Sequence, residues 1–283
     1  MSNKICYYYQ TFNGLDKLLD NPSGVDTIIV SSIHFGNNKD GSPYIHLNDL
    51  DPSDKTFDLV WEQTKMLAQT YNKEITVMLG GAGGAYNDLF NNYNVYYPML
   101  VKTIKDRPWI TGIDLDIEES VKLEDIKNLI NDIHRDFGDG FVITMAPLAC
   151  SLTTDQGGMG GFVYKDLYNS PEGKFITRFN VQAYGSYSFI TFDGIVQNGY
   201  PAEKIVLGML SGQFSSDNFQ DALNELQLIK KKYNNIGGVF DWEYFDAPPN
   251  PENPSEWGVD INKVIKGNYL NFFNYWESFI NFF

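Results

Sequence analysis

What this 283-residue chain lacks narrows it first. It has two cysteines, Cys6 and Cys150, so no disulfide framework holds it together and its stability rests on a core. Its three histidines (His34, His46 and His134) show no metal-ligand spacing. Basic residues are few: 21 Lys and Arg stand against 36 Asp and Glu, a formal charge of -15. A surface of that sign repels phosphate backbones and anionic lipid, which disfavours nucleic acid and membrane as partners and favours a neutral ligand. No apolar run is long enough to span a bilayer, and the opening Met-Ser-Asn-Lys-Ile-Cys-Tyr carries none that would serve as a signal peptide. The protein is therefore expected in the cytoplasm, unless its chain begins after a removed secretion signal. No internal repeat, low-complexity tract or interdomain linker interrupts residues 1–283, and one domain is expected.

What is present has a regular order. Short β-rich runs occur at Ile5 to Tyr9, Thr27 to Ser31, Ile75 to Leu79, Gly112 to Glu118, Val142 to Pro147, Phe179 to Tyr184, Ile205 to Leu210 and Gly237 to Trp242. Segments of helical period lie between several of them. Leu123, Ile126, Ile130, Ile133 and Phe137 form one apolar stripe, and Phe219, Leu223, Leu226 and Ile229 another. Alternating strand and helix implies parallel pairing through right-handed crossovers. Eight such units in a chain of this length predict a single-domain α/β fold, the closed (β/α)8 TIM barrel, with functional groups at the C-terminal ends of its strands. Aromatic residues make up 15% of the chain, a composition suited to stacking on sugar rings, although core packing accounts for most of any such count.

The fourth run carries the chemistry. Gly112-Ile113-Asp114-Leu115-Asp116-Ile117-Glu118-Glu119 places three acids at two-residue spacing, so in a strand Asp114, Asp116 and Glu118 share one face while Ile113, Leu115 and Ile117 pack the other. Like charges about 6 to 7 Å apart in a poorly hydrated place cannot all stay ionised. Protons must be shared and at least one pKa raised, which is the condition for a carboxylic acid able to protonate a leaving group near neutrality. A calcium or magnesium site is the other reading of such a row of oxygens, although the EF-hand spacing is absent.

The run Thr111 to Glu118 resembles the active-site strand of glycoside hydrolase family 18, the chitinases and endo-β-N-acetylglucosaminidases, with motif D-G-x-D-x-D-x-E. Asp114, Asp116 and Glu118 match its inner acids, and Thr111 stands where the outermost Asp belongs. Further segments resemble the family along nearly the whole chain. Gly80-Gly81-Ala82-Gly83-Gly84 is similar to its S-x-G-G loop with Gly in place of Ser, which leaves Asp114 to find another partner or carry an altered pKa. The same run fails the phosphate-binding pattern G-x-G-x-x-G, because Tyr86 occupies the third glycine position. Met145-Ala146-Pro147 resembles the end of the fifth strand, and Gln182-Ala183-Tyr184-Gly185 the sixth-strand motif Q/M-x-Y-D/N, broken at Gly185. Gly237-Gly238-Val239-Phe240-Asp241-Trp242 is close to the eighth strand of the short, plant-type class. Only about one helix fits between Ser211 and Ile236, with no room for an inserted α+β module, so a shallow, open cleft is expected.

The resemblance implies a retaining, substrate-assisted glycosidase acting on N-acetylglucosamine-containing glycans, with no metal and no organic cofactor. It implies Glu118 as acid and then base, Asp116 holding the sugar's acetamido N–H, Asp114 sharing a proton with Asp116, and Tyr184 orienting the acetamido oxygen. Trp242 would floor the sugar site, with Gln182, Met145 and Gly83 as further substrate contacts. Chitin or its oligomers is the expected substrate. The chitobiose core of N-glycans and a catalytically weak chitinase-like lectin or inhibitor are the alternatives. Beyond the barrel, 267–283 is an aromatic extension that includes Tyr269, Phe272, Phe273 and Trp276, expected either to pack on its own barrel, leaving a monomer, or to join two chains as a homodimer.

Overall fold

The computed structural model describes residues 3–267. The aromatic extension from residue 268 onward lies outside them. Nine strands form one sheet: β1 (Lys4–Tyr9), β2 (Thr27–Asn37), β3 (Pro43–Leu47), β4 (Glu74–Gly80), β5 (Gly112–Asp116), β6 (Val142–Met145), β7 (Arg178–Gln182), β8 (Ile205–Leu210) and β9 (Gly238–Trp242). Their order is β1-β9-β8-β7-β6-β5-β4-β2-β3, and β1 also pairs with β2, so eight parallel strands close on themselves while β3 lies outside the ring. This is the (β/α)8 barrel expected from the alternation of strand and helix.

Two details differ from the reading of the sequence. Strand β2 runs on to Asn37 and turns back as the antiparallel β3, with Ile33 opposite Leu47 and Phe35 opposite Ile45. The apolar positions Ile33, Phe35, Ile45 and Leu47 alternate along this hairpin, and all four are buried. Strand β5 stops at Asp116, so Glu118 stands just beyond the strand, at the barrel mouth.

The helices pack their apolar stripes on the outside of the barrel. Helix Leu123–Phe137 buries Ile126, Leu129, Ile130 and Ile133; it carries Glu124 and Asp125 in its first turn and His134 and Arg135 in its last, which suits the helix dipole. Helix Phe219–Lys232 buries Phe219, Ala222, Leu226 and Ile229. Between β8 and β9 it is joined only by the short turn Ser211–Gln213. Helix Ser255–Ile265 closes the ring: Tyr7 Oη accepts from Gly258 N at 2.8 Å and donates to Pro254 O at 2.9 Å, and Trp257 is fully buried against the Tyr7 ring. Among the described residues no helix is long and apolar enough to cross a membrane.

Inside the barrel the filling is mixed. Cys6, Tyr8, Ile29, Met78, Val206 and Phe240 form a small apolar cluster separate from the large outer core, and Tyr184 and Trp242 pack against it. The Phe240 ring lies over Gly208, its register neighbour on β8; a Cβ at that position would stand 2.0 Å from the ring. At the N-terminal rim, the first residues of four strands meet: Arg178 pairs with Glu74, Lys4 Nζ lies 3.5 Å from Glu74 Oε2, and Thr27 Oγ1 donates to Glu74 Oε1 at 3.0 Å. Charge at that end is buried but compensated.

Candidate active site

The three acids of the fourth run meet three different environments. Asp114 is fully buried and its carboxylate accepts from three strands at once: Tyr8 Oη at 2.6 Å, Thr144 Oγ1 at 2.5 Å and Asn180 Nδ2 at 2.9 Å. Burial pushes the Asp114 carboxyl above the usual range, against those three hydrogen bonds and the more distant charge of Arg178.

Asp116, next on the same face, is 5% exposed and has a single side-chain donor, Gln182 Nε2 at 3.0 Å. Burial drives its pKa well above the carboxylate range, and the carboxylates of Glu118 and Asp114 drive it further. The pair Asp114–Asp116 therefore holds a proton at pH values where isolated carboxyls have lost theirs. Its backbone is anchored as well, since Asp116 O accepts from Gly81 N at 2.9 Å. Gly80 has φ +92°, and a Cβ there would stand 2.4 Å from that same carbonyl oxygen, so the strand end and the glycine loop approach too closely for a side chain.

Glu118 and Glu119 are neighbours in sequence with opposite uses. Glu119 Oε1 accepts from the backbone N–H of Ala85 and of Tyr86, both at 2.5 Å, and Oε2 accepts from Asn87 N at 3.2 Å, so this side chain ties down the glycine loop and the start of helix Tyr86–Asn91. From the other side, His34 Nδ1–H donates to Gly84 O at 2.8 Å, the tautomer set by that acceptor, while His34 Nε2 accepts from Ser32 Oγ at 2.7 Å. Glu118 is half-buried and makes no hydrogen bond to the described residues. Of the four acids it alone is both reachable and unengaged.

The aromatic wall follows from β1, β7 and β9. Trp242, half-buried at the end of β9, packs on Tyr8 with ring centroids 5.1 Å apart, and Tyr184 meets the edge of Phe240 at 6.4 Å. Burial raises the Tyr184 phenol well above its ordinary pKa, and the charges of Asp116, Asp241, Glu118 and Asp114 add to it, so the group is a neutral donor beside a row of acids. Among the described residues no three of His, Cys, Asp and Glu come together as a metal-binding group.

The closed parallel barrel is shared with solved structures. A fungal endo-beta-N-acetylglucosaminidase from glycosyl hydrolase family 18 superposes with a TM-score of 0.79 at 26% identity, covering 94% of this chain and 99% of that one. A chitinase from Aspergillus fumigatus gives 0.78 at 27%, covering 92% and 98%. The chain is a chitinase-like glycosidase that shares its fold with these family 18 enzymes. A family 18 chitinase from Pseudoalteromonas aurantia shares the fold at 17% identity, with a TM-score of 0.70 over 93% of this chain and 100% of that one. No protein-family model and no curated protein matches the sequence.

On this barrel Asp114, Asp116, Glu118, Gln182, Tyr184 and Trp242 lie together at one end. Gly83 is exposed in the loop held by His34 and Glu119, with φ +103°. Met145 is placed elsewhere: it is fully buried, opposite Leu115 and Phe179 in register, and belongs to the outer core between strands and helices. Strand alternation sends Thr144 inward and Met145 outward, so a substrate contact there is corrected to a packing role. Gln182 is bound to Asp116 and to Ala146 O at 2.9 Å, which makes it a support of the acid as placed here.

Sequence reasoning missed Tyr8, Thr144 and Asn180. One signal was available: Arg178, Asn180 and Gln182 repeat on β7 the two-residue spacing of polar residues seen on β5, which marks an inward-facing polar row.

Proposed function

We propose that the protein hydrolyses β-1,4 linkages between N-acetylglucosamine residues in chitin or its oligomers, with retention and with the sugar's own acetamido oxygen as nucleophile, outside the two-carboxylate scheme of most glycosidases. Glu118 gives its proton to the glycosidic oxygen as the C–O bond breaks. The acetamido oxygen bonds to the anomeric carbon to form an oxazolinium ion. Asp116 accepts the acetamido N–H and offsets the positive charge, with Asp114 taking up the shared proton behind it. Tyr184 donates to the acetamido oxygen, and Trp242 lies under the sugar's apolar face. Water then adds to the anomeric carbon as the bond to the acetamido oxygen breaks, and gives its proton to Glu118.

The observation that carries this reading is the contrast among adjacent acids: Asp116 is buried, coupled and donor-poor, while Glu118 is reachable and unengaged. A second reading has its own support, since one of the most similar solved structures is an endo-beta-N-acetylglucosaminidase. Such an enzyme would cut the chitobiose core of N-glycans with the same residues.

Reducing-end release from chitohexaose, set beside release from a high-mannose glycopeptide, tests both. Turnover of the first alone supports the proposal, and turnover of the second alone replaces it with the other reading. Activity on neither, with retained binding, means the barrel serves as a lectin. Cleavage of a plain glucose oligomer would remove the acetamido group from the mechanism.

A further inference from the structure

Glu118 is carried on a segment that belongs to neither strand nor helix. Strand β5 ends at Asp116 and the next helix begins at Leu123, so residues 117–122 cross the barrel mouth without a ladder to hold them. Ile117 is buried at one end of the segment, and Val121 N donates to Gly160 O at 3.0 Å at the other. Between them the most extensive tie is made by Glu119, the residue next to the acid.

That tie sets a half-buried carboxylate against backbone. Glu119 accepts from three consecutive N–H groups, those of Ala85, Tyr86 and Asn87, and from the Asn87 side chain. Helix Tyr86–Asn91 needs such an acceptor, because its first N–H groups have no partner within it and its N-cap residue, Ala85, has no side-chain oxygen. The acceptor comes instead from the segment that carries Glu118. Gly84 makes room for it: at φ +74° a Cβ there would stand 2.9 Å from Glu119 Oε1 and 3.1 Å from its Cδ.

The receiving loop is itself held by the barrel. Gly81 N donates to Asp116 O at 2.9 Å, His34 Nδ1–H to Gly84 O at 2.8 Å, and the fully buried Tyr86 donates its hydroxyl to Leu79 O at 2.9 Å. Glu119 is therefore bound to a frame that β2, β4 and β5 fix. We infer that Glu119 is the positioning residue of the acid: its carboxylate pins the peptide that carries Glu118 and so aims the Glu118 side chain at the glycosidic oxygen. The inference rests on the reading of Glu118 as proton donor and adds what orients it. A side chain free of partners keeps its proton transferable but does not set its own direction, so orientation falls to the backbone beneath it. Misplacement of a reacting group by about 1 Å costs on the order of a hundredfold in rate.

The test separates aim from fold through the leaving group. A sugar leaving from chitohexaose needs a proton, whereas dinitrophenolate leaves a dinitrophenyl chitobioside without one. kcat/KM, which reports the steps up to that departure, is measured on both substrates for wild type, Glu119→Ala, Glu119→Gln and Glu118→Gln. Glu119→Ala should lose about ten- to a hundredfold on chitohexaose and less than about threefold on the dinitrophenyl glycoside. Glu119→Gln keeps a carbonyl oxygen for Ala85 and Tyr86 but sets its amide against Asn87 N–H, so it should lie between Glu119→Ala and wild type. Glu118→Gln should show the same pattern with a larger loss. If circular dichroism finds Glu119→Ala unfolded, Glu119→Gln carries the comparison. An equal loss on both substrates in a folded Glu119 variant, or no loss on chitohexaose, would overturn the inference and leave Glu119 a helix cap only, with the proposed function intact. Equal losses on both substrates in Glu118→Gln, or a wild type inactive on both, would instead refute the proposed function and the inference with it.

Discussion

The two rims of this barrel treat buried acids in opposite ways. At the N-terminal rim, burial alone would raise the Glu74 carboxyl, but Arg178 and Lys4, with the hydrogen bonds from Arg178 and Thr27, bring it below its ordinary value. At the C-terminal rim Asp116 is somewhat more deeply buried and has no cation; Glu118 and Asp114 add to the effect of burial, and its carboxyl goes well above the usual range. The difference is made by partners rather than depth. A charge that is paired stays a charge and ties strands together. A charge left unpaired beside two others must hold a proton.

Substitutions at each rim should therefore fail in different ways. The largest effect is expected from Glu118→Gln, which keeps size and hydrogen bonding but removes the transferable proton; turnover should fall by about 10² to 10⁴ with binding retained. Steady-state rates on chitohexaose, with a titration of the variant, check it. At the opposite rim Arg178→Met leaves Glu74 buried without its main partner and should cost about 3–5 kcal/mol of stability, read by chemical denaturation. Its effect on the acid site should be minor by comparison.

The pH dependence of stability has opposite signs at the two rims. Glu74 has a depressed native pKa, so its contribution is full above the unfolded value and is lost as the solution is acidified through the native one. Asp116 has a raised native pKa: between the unfolded and native values the folded protein holds a proton that the unfolded chain has released, so stability falls as pH rises through that window. Asp116→Asn should remove that slope. Its melting temperature relative to wild type should climb as pH rises above the ordinary carboxyl range. The smallest change is expected from Tyr8→Phe, which deletes one of three donors to Asp114 and should cost about 1 kcal/mol, measured the same way.

Much of this was legible in the sequence because it is periodic. Two-residue spacing placed Asp114 and Asp116 inward and Ile113, Leu115 and Ile117 outward, and the structure buries all five. Eight strand-like runs with helical stripes between them led to the closed barrel. The partners of those acids were not legible, because contacts across the barrel join residues far apart in the chain: Tyr8, Thr144 and Asn180 reach Asp114 from three other strands. Nor was the use of Glu119 legible, since it lies in the backbone N–H groups of Ala85, Tyr86 and Asn87 that this side chain binds. Met145 went astray through a short motif read without its strand face.

The central claim is that the proton sits at one rim and the fixed charge at the other. Infrared difference spectra at pH 7, comparing wild type with Asp116→Asn and with Glu74→Gln, address it directly, because a protonated carboxyl has a C=O stretch separate from that of a carboxylate. The account predicts that a protonated-carboxyl band disappears in Asp116→Asn, whereas Glu74→Gln loses only carboxylate absorption. A wild-type spectrum with no protonated carboxyl, or one whose band vanishes in Glu74→Gln and survives in Asp116→Asn, would contradict it.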